Sequence, residues 1–503
     1  MKYILSIDQG TTGSRAVVYD KKGLVIASSY QEFKQIFPKP GWVEHDPEDI
    51  WKSVNSTIEK VLKIISPMDI ASIGITNQRE TTVVWDRITG KPIYNAIVWQ
   101  CRRTSKRCDA INKSKNESQR INKLTGLPVD AYFSATKIEW ILKNITGAMK
   151  KSQKGELLFG TTDTWILWKL TGGKTHATDY TNASRTMLFD IEKKEWSKYL
   201  LNKFSVSSVM LPEVKRSSGE FGITMKQKGI PGGIPITGIA GDQQAALFGQ
   251  SCFEKGMIKN TYGTGSFILM NSGENRPVSK YGLIATLGCG KKGEAVYVLE
   301  GSIFVAGSSI QWLRDGLKLF KDAKETENMA ERAGGNAGVY FVPALVGLGA
   351  PYWDQDSRGS ISGLTRGVTS DHIVRAALES ICYQTKDVLD VMKKDTGLEI
   401  KDLRVDGGAV KNNFLCQFQS DILGVSVIRP KVIETTSLGA AYLAGLAVGY
   451  WKNSDEIEKC WIKEKVFQPK MNKKDAGTLY KGWQNAVNKV LTKKVQSFCN
   501  EKI

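Results

Sequence analysis

The sequence predicts an α/β chain of two lobes, each a mixed β-sheet flanked by helices, around a shared cleft. Three observations predict it. Apolar strand-like runs alternate with helical patterns along the chain. A strand–turn–strand segment rich in Gly, Thr and Ser opens the chain, and a second one resembling it starts near the middle. The length of 503 residues, with 41% apolar and 24% charged residues, suits a globular chain with room for two large lobes.

The opening segment supplies the first hairpin. Ile4, Leu5 and Ile7 read as one strand and Ala16, Val17, Val18 and Tyr19 as the next. Between them Asp8, Gly10, Thr11, Thr12, Gly13, Ser14 and Arg15 offer a carboxylate, hydroxyls, approachable amides and one cation. Such an amide nest can hold a polyphosphate, with Asp8 facing its Mg²⁺. A plain hairpin closed by Gly and Thr fits the turn chemistry equally well. Asp46-Pro47-Glu48 then suits an N-cap with proline at the first helical position, and Ile50, Trp51, Val54, Ile58, Val61 and Leu62 follow at helical spacing. Ile70 to Thr76, Thr81 to Trp85 and Ile93 to Trp99 read as strands.

Polar residues punctuate these elements. Asn77-Gln78-Arg79-Glu80 lies between two apolar strands, where Arg79 and Glu80 can pair with the hydroxyls of a polyol or form a surface ion pair at a turn. Trp99 and Phe267 suit aromatic walls over a polyol's C–H edge, or ordinary core packing. Asp242 and Gln243 follow the apolar PITGIA run at a helix start. There Asp242 either caps the helix or serves as a base that takes a proton from an attacking hydroxyl. The second hairpin, Lys259 to Met270, sets KNTYGTGS before an apolar strand, and Gly249 to Gly256 is the expected boundary between lobes at 1–249 and 250–503. Farther on, a strand carrying Asp406 runs into Gly407-Gly408-Ala409, with Asn412 and Asn413 positioned to start a helix. Backbone at those glycines can lie against an adenine or an α-phosphate, or make a plain strand-to-helix turn.

Other classes fall away. Gly172-Gly173-Lys174-Thr175 imitates the end of a Walker A loop, but Trp168 stands where its first Gly belongs. Gly238-Ile239-Ala240-Gly241 lacks the dinucleotide fingerprint. His45, His176 and His372 lack metal-ligand spacing, and no G-x-S-x-G elbow appears. Ser437 to Trp451 is too short to span a bilayer and reads as a buried helix, so no integral membrane segment is expected. The absence of a secretory pattern and eight cysteines without a C-x-x-C pair indicate free thiols in the cytoplasm. The net charge of +19 is spread along the chain as surface Lys, so no nucleic-acid partner is expected. The excess can still attract an anionic nucleotide.

Taken together, IDQGTTGSRAVVYD, GITNQRETTVVWD, NAIVWQCRRT, TDYTNASRTMLFD, GIAGDQQAALFGQ, NTYGTGSF, GSSIQWLRD and LRVDGGAVKNNFLCQFQSDILG resemble, in order and spacing, the glycerol kinases of the FGGY carbohydrate-kinase family. The resemblance runs from about Tyr3 to Trp483. It implies two ribonuclease-H-like lobes of the actin and hexokinase type, with ATP and Mg²⁺ in the cleft. It implies that Arg79, Glu80, Trp99, Tyr132, Asp242, Gln243 and Phe267 surround glycerol, with Asp242 as general base. Thr11, Thr12, Gly13, Arg15, Thr264, Gly307, Gln311, Gly408 and Asn412 would hold the nucleotide, and Asp8 and Asp242 would stand at the metal. A homodimer or homotetramer is implied as well. Two departures stand out: Gly13 replaces the Ser of many relatives, and Gly233 replaces the Arg with which bacterial enzymes bind fructose 1,6-bisphosphate, so inhibition by that sugar phosphate is not expected.

Overall fold

The computed structural model describes residues 2–492. Its first sheet has six strands: β1 (Tyr3–Gln9), β2 (Gly13–Tyr19), β3 (Val25–Glu32), β4 (Ile70–Asn77), β5 (Ser218–Ile223) and β6 (Pro235–Gly241), in the order β5-β6-β4-β1-β2-β3. The second has seven: β7 (Ile258–Tyr262), β8 (Ser266–Gly273), β9 (Ile284–Cys289), β10 (Ala295–Ile303), β11 (Asp402–Asp406), β12 (Ser426–Pro430) and β13 (Lys463–Phe467), in the order β9-β10-β8-β7-β11-β12-β13. One plan underlies both. A hairpin (β1–β2, β7–β8) carries a third antiparallel strand on its outer side (β3, β10) and two parallel strands on its inner side (β4 and β6, β11 and β12). The two mixed-sheet lobes expected from the sequence are present.

Helices cover the sheets because the central strands are apolar on both faces; every residue of β4 is buried. Helix α1 (Pro47–Leu62) packs across β2 and β3 with Ile50, Val54, Ile58 and Val61 inward. Its N-cap Asp46 accepts from the Glu48 amide at 2.8 Å, with Pro47 at the first helical position. The remaining helices of the cleft are α2 (Asp242–Gly249), α3 (Gly307–Asp315), α4 (Ser370–Thr396), α5 (Asn413–Leu423) and α6 (Thr435–Ala447). The apolar run at Ser437 is indeed a buried helix, but α6 returns from the second half of the chain to pack on β4, β6 and α2 of the first. Glycines permit that approach: a Cβ on Gly74 would sit 2.1 Å from the Ala440 carbonyl, and one on Gly439 would sit 1.8 Å from the Ala245 carbonyl.

One strand differs from expectation. The run Ile93 to Trp99 pairs only at Ala96–Ile97, because Tyr94 and Asn95 turn their side chains onto Glu44, at 2.7 and 2.8 Å, instead of extending a ladder. Among the described residues no helix is long and apolar enough to cross a membrane, and seven cysteines are free thiols. The eighth, Cys499, lies outside the described residues.

Candidate active site

The ends of β1, β4 and β6 lie side by side at Gln9, Asn77 and Gly241, those of β7 and β11 at Thr261 and Asp406, and Lys259 of β7 reaches Gln243 just beyond β6. In the first hairpin the Gly10 amide donates to the Gly13 carbonyl at 2.9 Å, closing the turn, and Thr11 and Thr12 stand on its rim. Asp8 lies beside Arg15 across the hairpin and beside Thr76 on β4. Asp8 is half-buried. That burial pushes its carboxyl up to about 7; Arg15 offsets part of the rise, and Asp242 and Glu434 add to it. Arg15 itself pairs with Glu434, the residue preceding α6, and its guanidinium lies 5.6 Å from the Tyr30 ring. Gly13 has a steric reason: an added Cβ would meet Tyr30 at 2.6 Å and the Gln31 carbonyl at 2.8 Å.

Arg79 and Glu80 are not a surface pair. They are 2% and 1% exposed, and their closest mutual approach is 3.9 Å. Glu80 adopts a left-handed φ of 62°, a conformation that costs a non-glycine residue free energy and recurs at functional sites. Each charge instead finds a partner elsewhere. Arg79 forms a fork on Glu300 of β10, at 2.6 and 2.9 Å, and its Nε faces the Asp242 carboxylate at 3.1 Å. Glu80 accepts from Arg185 Nε at 2.5 Å, and Arg185 also approaches Glu300 at 3.2 Å. Burial alone would raise the Glu300 carboxyl, but Arg185 and Arg79 outweigh it and hold it at about 2. For Glu80 burial outweighs both arginines, so its carboxyl is raised. Isolated charges this deep would be prohibitive; the alternating cluster makes them tolerable.

Asp242 is the first residue of α2, whose N-cap is Gly241, and its Oδ1 accepts from the Gln243 amide of the helix's first turn at 2.8 Å. The carboxylate is 29% exposed and faces the cleft. Gln243 Nε2 donates to Asp242 Oδ2 at 3.2 Å. Three aromatic rings meet beside Arg79: Trp99 meets Tyr132 edge-to-face at 5.5 Å and Phe267 at 6.4 Å between centroids, and the Arg79 guanidinium lies 5.9 Å from the Phe267 ring. Trp99 also donates from Nε1 to Thr11 Oγ1 at 3.0 Å. A single indole therefore touches the first turn and the second hairpin, and the predicted polyol residues and the phosphate turn share one cleft.

The second turn is stitched to a helix. Gly263 N donates to the Gly265 carbonyl at 2.9 Å, while Ala306 N and Gly307 N reach back to the Thr264 and Gly263 carbonyls at 2.9 and 3.0 Å. A Cβ on Gly307 would lie 2.6 Å from the Gly263 carbonyl, so only glycine fits where α3 starts. Gln311 stands one helical turn beyond Gly307 and is exposed. Gly407, at φ 89°, turns β11 toward an exposed Gly408, and Asn412 caps α5 by accepting from Leu415 N at 2.9 Å. Thr264, Gly307, Gln311, Gly408 and Asn412 thus line elements of the second lobe. None of them takes part in the acid–arginine cluster.

Sequence reading overlooked Arg185, Gln244, Lys259 and Glu300. Gln244 accepts from Arg79 at 3.2 Å. Lys259, fully buried, donates to Gln243 Oε1 at 2.6 Å and to Thr261 Oγ1 at 2.8 Å. A lone charge inside an apolar strand, as in VYVLEGSI or MIKNTY, was the available signal.

Residues 3–249 match the N-terminal domain of the FGGY family of carbohydrate kinases, and residues 258–448 match its C-terminal domain. A glycerol kinase 2 from Thermotoga maritima is 58% identical over 98% of this chain and 99% of its own. A glycerol kinase from Alkaliphilus oremlandii is 57% identical over 97% of both. Among solved structures, a Plasmodium falciparum glycerol kinase with ADP superposes with a TM-score of 0.90 at 40% identity, covering 98% of this chain and 99% of that one. A xylulose kinase from Lactobacillus acidophilus, at 24% identity and a TM-score of 0.85 over 97% of both chains, shares the fold.

Proposed function

The chain belongs to the FGGY family of carbohydrate kinases, and from that membership we propose that it transfers the γ-phosphoryl group of ATP to a terminal hydroxyl of glycerol, giving sn-glycerol 3-phosphate and ADP. The observation that carries the choice of acceptor is the clustering of polar and aromatic side chains beside the first turn. Buried Arg79 and Glu80, with Asp242 and Gln243, stand among Trp99, Tyr132 and Phe267, beside the first phosphate turn. Hydroxyls suit the polar groups and a short carbon chain suits the rings. An analogue lacking one hydroxyl would leave a buried partner unpaired, which such sites reject by large factors.

In this reading Asp242 accepts the proton of the attacking hydroxyl as its oxygen bonds to the γ-phosphorus and the bond to the β–γ bridging oxygen breaks. Arg79 faces that carboxylate with Nε at 3.1 Å, a charge contact without a hydrogen bond. Thr11, Thr12, Gly13 and Arg15 take the phosphates from one lobe and Thr264 from the other, while Gly307, Gln311, Gly408 and Asn412 hold the nucleoside. The boundary between the two lobes falls between residues 249 and 250, with α6 of the second sealing the first sheet. Mg²⁺ fits at Asp8 and Asp242: burial and the neighbouring Asp242 raise the cost of ionising Asp8, a cost a divalent cation would relieve. When bound, it would neutralise charge on the phosphates. At Gly233 the left-handed φ of 92° would strain the Arg of sugar-phosphate-inhibited relatives, which supports an enzyme without that response. The working form is a cytoplasmic homodimer or homotetramer.

ATP-dependent turnover across glycerol, ribulose and xylulose tests the proposal. Glycerol is expected to be the preferred acceptor by at least two orders of magnitude in kcat/KM; equal turnover of a pentulose would overturn it. Asp242→Asn should keep nucleotide binding and lose nearly all turnover, and substantial residual activity would remove Asp242 from its role as base.

A further inference from the structure

Lys259 is a buried cation on β7 that the reaction as described does not use. Its ammonium reaches three acceptors from three places: Gln243 Oε1 on α2 at 2.6 Å, Thr261 Oγ1 on its own strand at 2.8 Å, and the Phe267 carbonyl across the hairpin at 3.3 Å. An ammonium can only donate, so the Gln243 amide has one permitted orientation, with Oε1 toward Lys259 and Nε2 toward Asp242, to which it donates at 3.2 Å. Without that cation Oε1 loses its donor, and the amide is held only by its longer bond to Asp242, which leaves its position in the cleft less fixed. The same ammonium ties the two strands at the root of the second phosphate hairpin, one of which carries the aromatic wall Phe267.

The setting also explains how a lysine survives at this depth. Asp406 on β11, Asp242 on α2 and Glu300 on β10 surround it, against the like charge of Arg79. Burial nevertheless pulls the ammonium down to about 8. A buried charge retained under that pressure, with every proton aimed at a site residue or its hairpin, has a geometric task.

We propose that Lys259 is a positioning residue for the acceptor: one ammonium from the second lobe fixes the Gln243 amide of the first and the root of the second phosphate hairpin together. This rests on Gln243 as a glycerol ligand. Glycerol recognition and seating of the second hairpin then depend on each other, although Lys259 touches neither substrate.

A double-mutant cycle on the full chain tests it, with glycerol affinity and KM measured for wild type, Lys259→Met, Gln243→Ala and the double variant, and thermal melting as the folding control. Lys259→Met is expected to weaken glycerol about tenfold, a typical cost of a lost charge-assisted hydrogen bond. It should add less than twofold in the Gln243→Ala background. Lys259→Gln, which keeps a donor, should recover part of the loss and serves as the second variant should Lys259→Met fail to fold. If Gln243→Ala leaves glycerol affinity unchanged, the site reading falls and the proposal falls with it. If Gln243→Ala weakens glycerol while both Lys259 variants bind normally, the proposal alone is overturned. Equal, additive losses from Lys259 and Gln243 would likewise overturn action through the amide.

Discussion

The two hairpins are the same structure with their chemistry exchanged. In the first, Asp8 lies two residues before the turn glycine, with Arg15 across the hairpin and Thr76 on the parallel neighbour. In the second, Thr261 takes the equivalent place, with Phe267 across and Asp406 on the neighbour. The carboxylate has moved from hairpin to parallel strand, and the hydroxyl the other way. Asp8 is half-buried, whereas Asp406 is buried and accepts from Gln250 Nε2 at 2.7 Å. A repeated scaffold has thus been divided: the first turn keeps a half-exposed carboxylate, and the second keeps its charges buried, on structure and on Gln243.

The largest effect expected from that division is on turnover. Asp8→Asn should lower kcat by about 10²–10³, the scale of losing one electrostatic stabiliser of a developing charge. Thr261→Val at the equivalent place should cost about tenfold or less. Steady-state rates at saturating ATP and glycerol check both, and equal losses would end the claim that the two turns are specialised.

Next comes the junction by which the second half covers the first. Gly439→Val places a Cβ where the Ala245 carbonyl already stands at 1.8 Å. Backbone on both sides cannot yield cheaply, so a loss of about 3 kcal/mol or more is expected. A substitution at Gly335, where a Cβ meets nothing within 4 Å, should stay within about 0.5 kcal/mol. Chemical denaturation distinguishes them.

The charges of the two lobes should also give opposite pH signatures. Glu300 is held at about 2, below its ordinary 4.5, so its contribution to stability is complete above about 4.5 and is lost as pH falls toward 2. Asp8 is raised from 3.8 to about 7, so the native state binds the extra proton, and in the ligand-free protein stability should rise as pH falls from about 7 to about 4. Glu300→Gln should flatten the acid limb and Asp8→Asn the neutral one; unchanged profiles would refute the respective assignments.

The smallest effect is expected at Gly13→Ser. The neighbouring Tyr30 is contacted at the far end of its side chain and can give way, whereas the Gln31 carbonyl at 2.8 Å is backbone, so the cost falls on the stability of the β2–β3 pairing and not on nucleotide binding. The KM for ATP should shift within about twofold, and a larger change would mean that the missing hydroxyl matters to phosphate binding.

Much of this was legible in the chain because it is local. Asp46-Pro47-Glu48 announced α1, Asn412 announced the cap of α5, and each glycine–threonine turn announced its hairpin, since backbone geometry at such places is set by neighbours in sequence. The pocket residues were named through resemblance, while their own local patterns left cap, turn and core readings open. What escaped was the set of partners. Glu300 is 221 residues from Arg79 and Arg185 is 105 from Glu80. No local pattern links them, and the strand Ile93 to Trp99 was overestimated because its side chains answer to the distant Glu44.

The sequence by itself determined the two-lobed α/β plan, the turns and the kinase family, because alternation of apolar runs, glycine and proline placement and motif order are properties of the chain. Tertiary structure alone decided which charges neutralise one another, that α6 crosses to seal the first sheet, and that Lys259 of one lobe holds Gln243 of the other. The physical reason is burial: a charge removed from water must be answered by whatever the fold brings within about 3 Å, and that partner can come from anywhere in the chain.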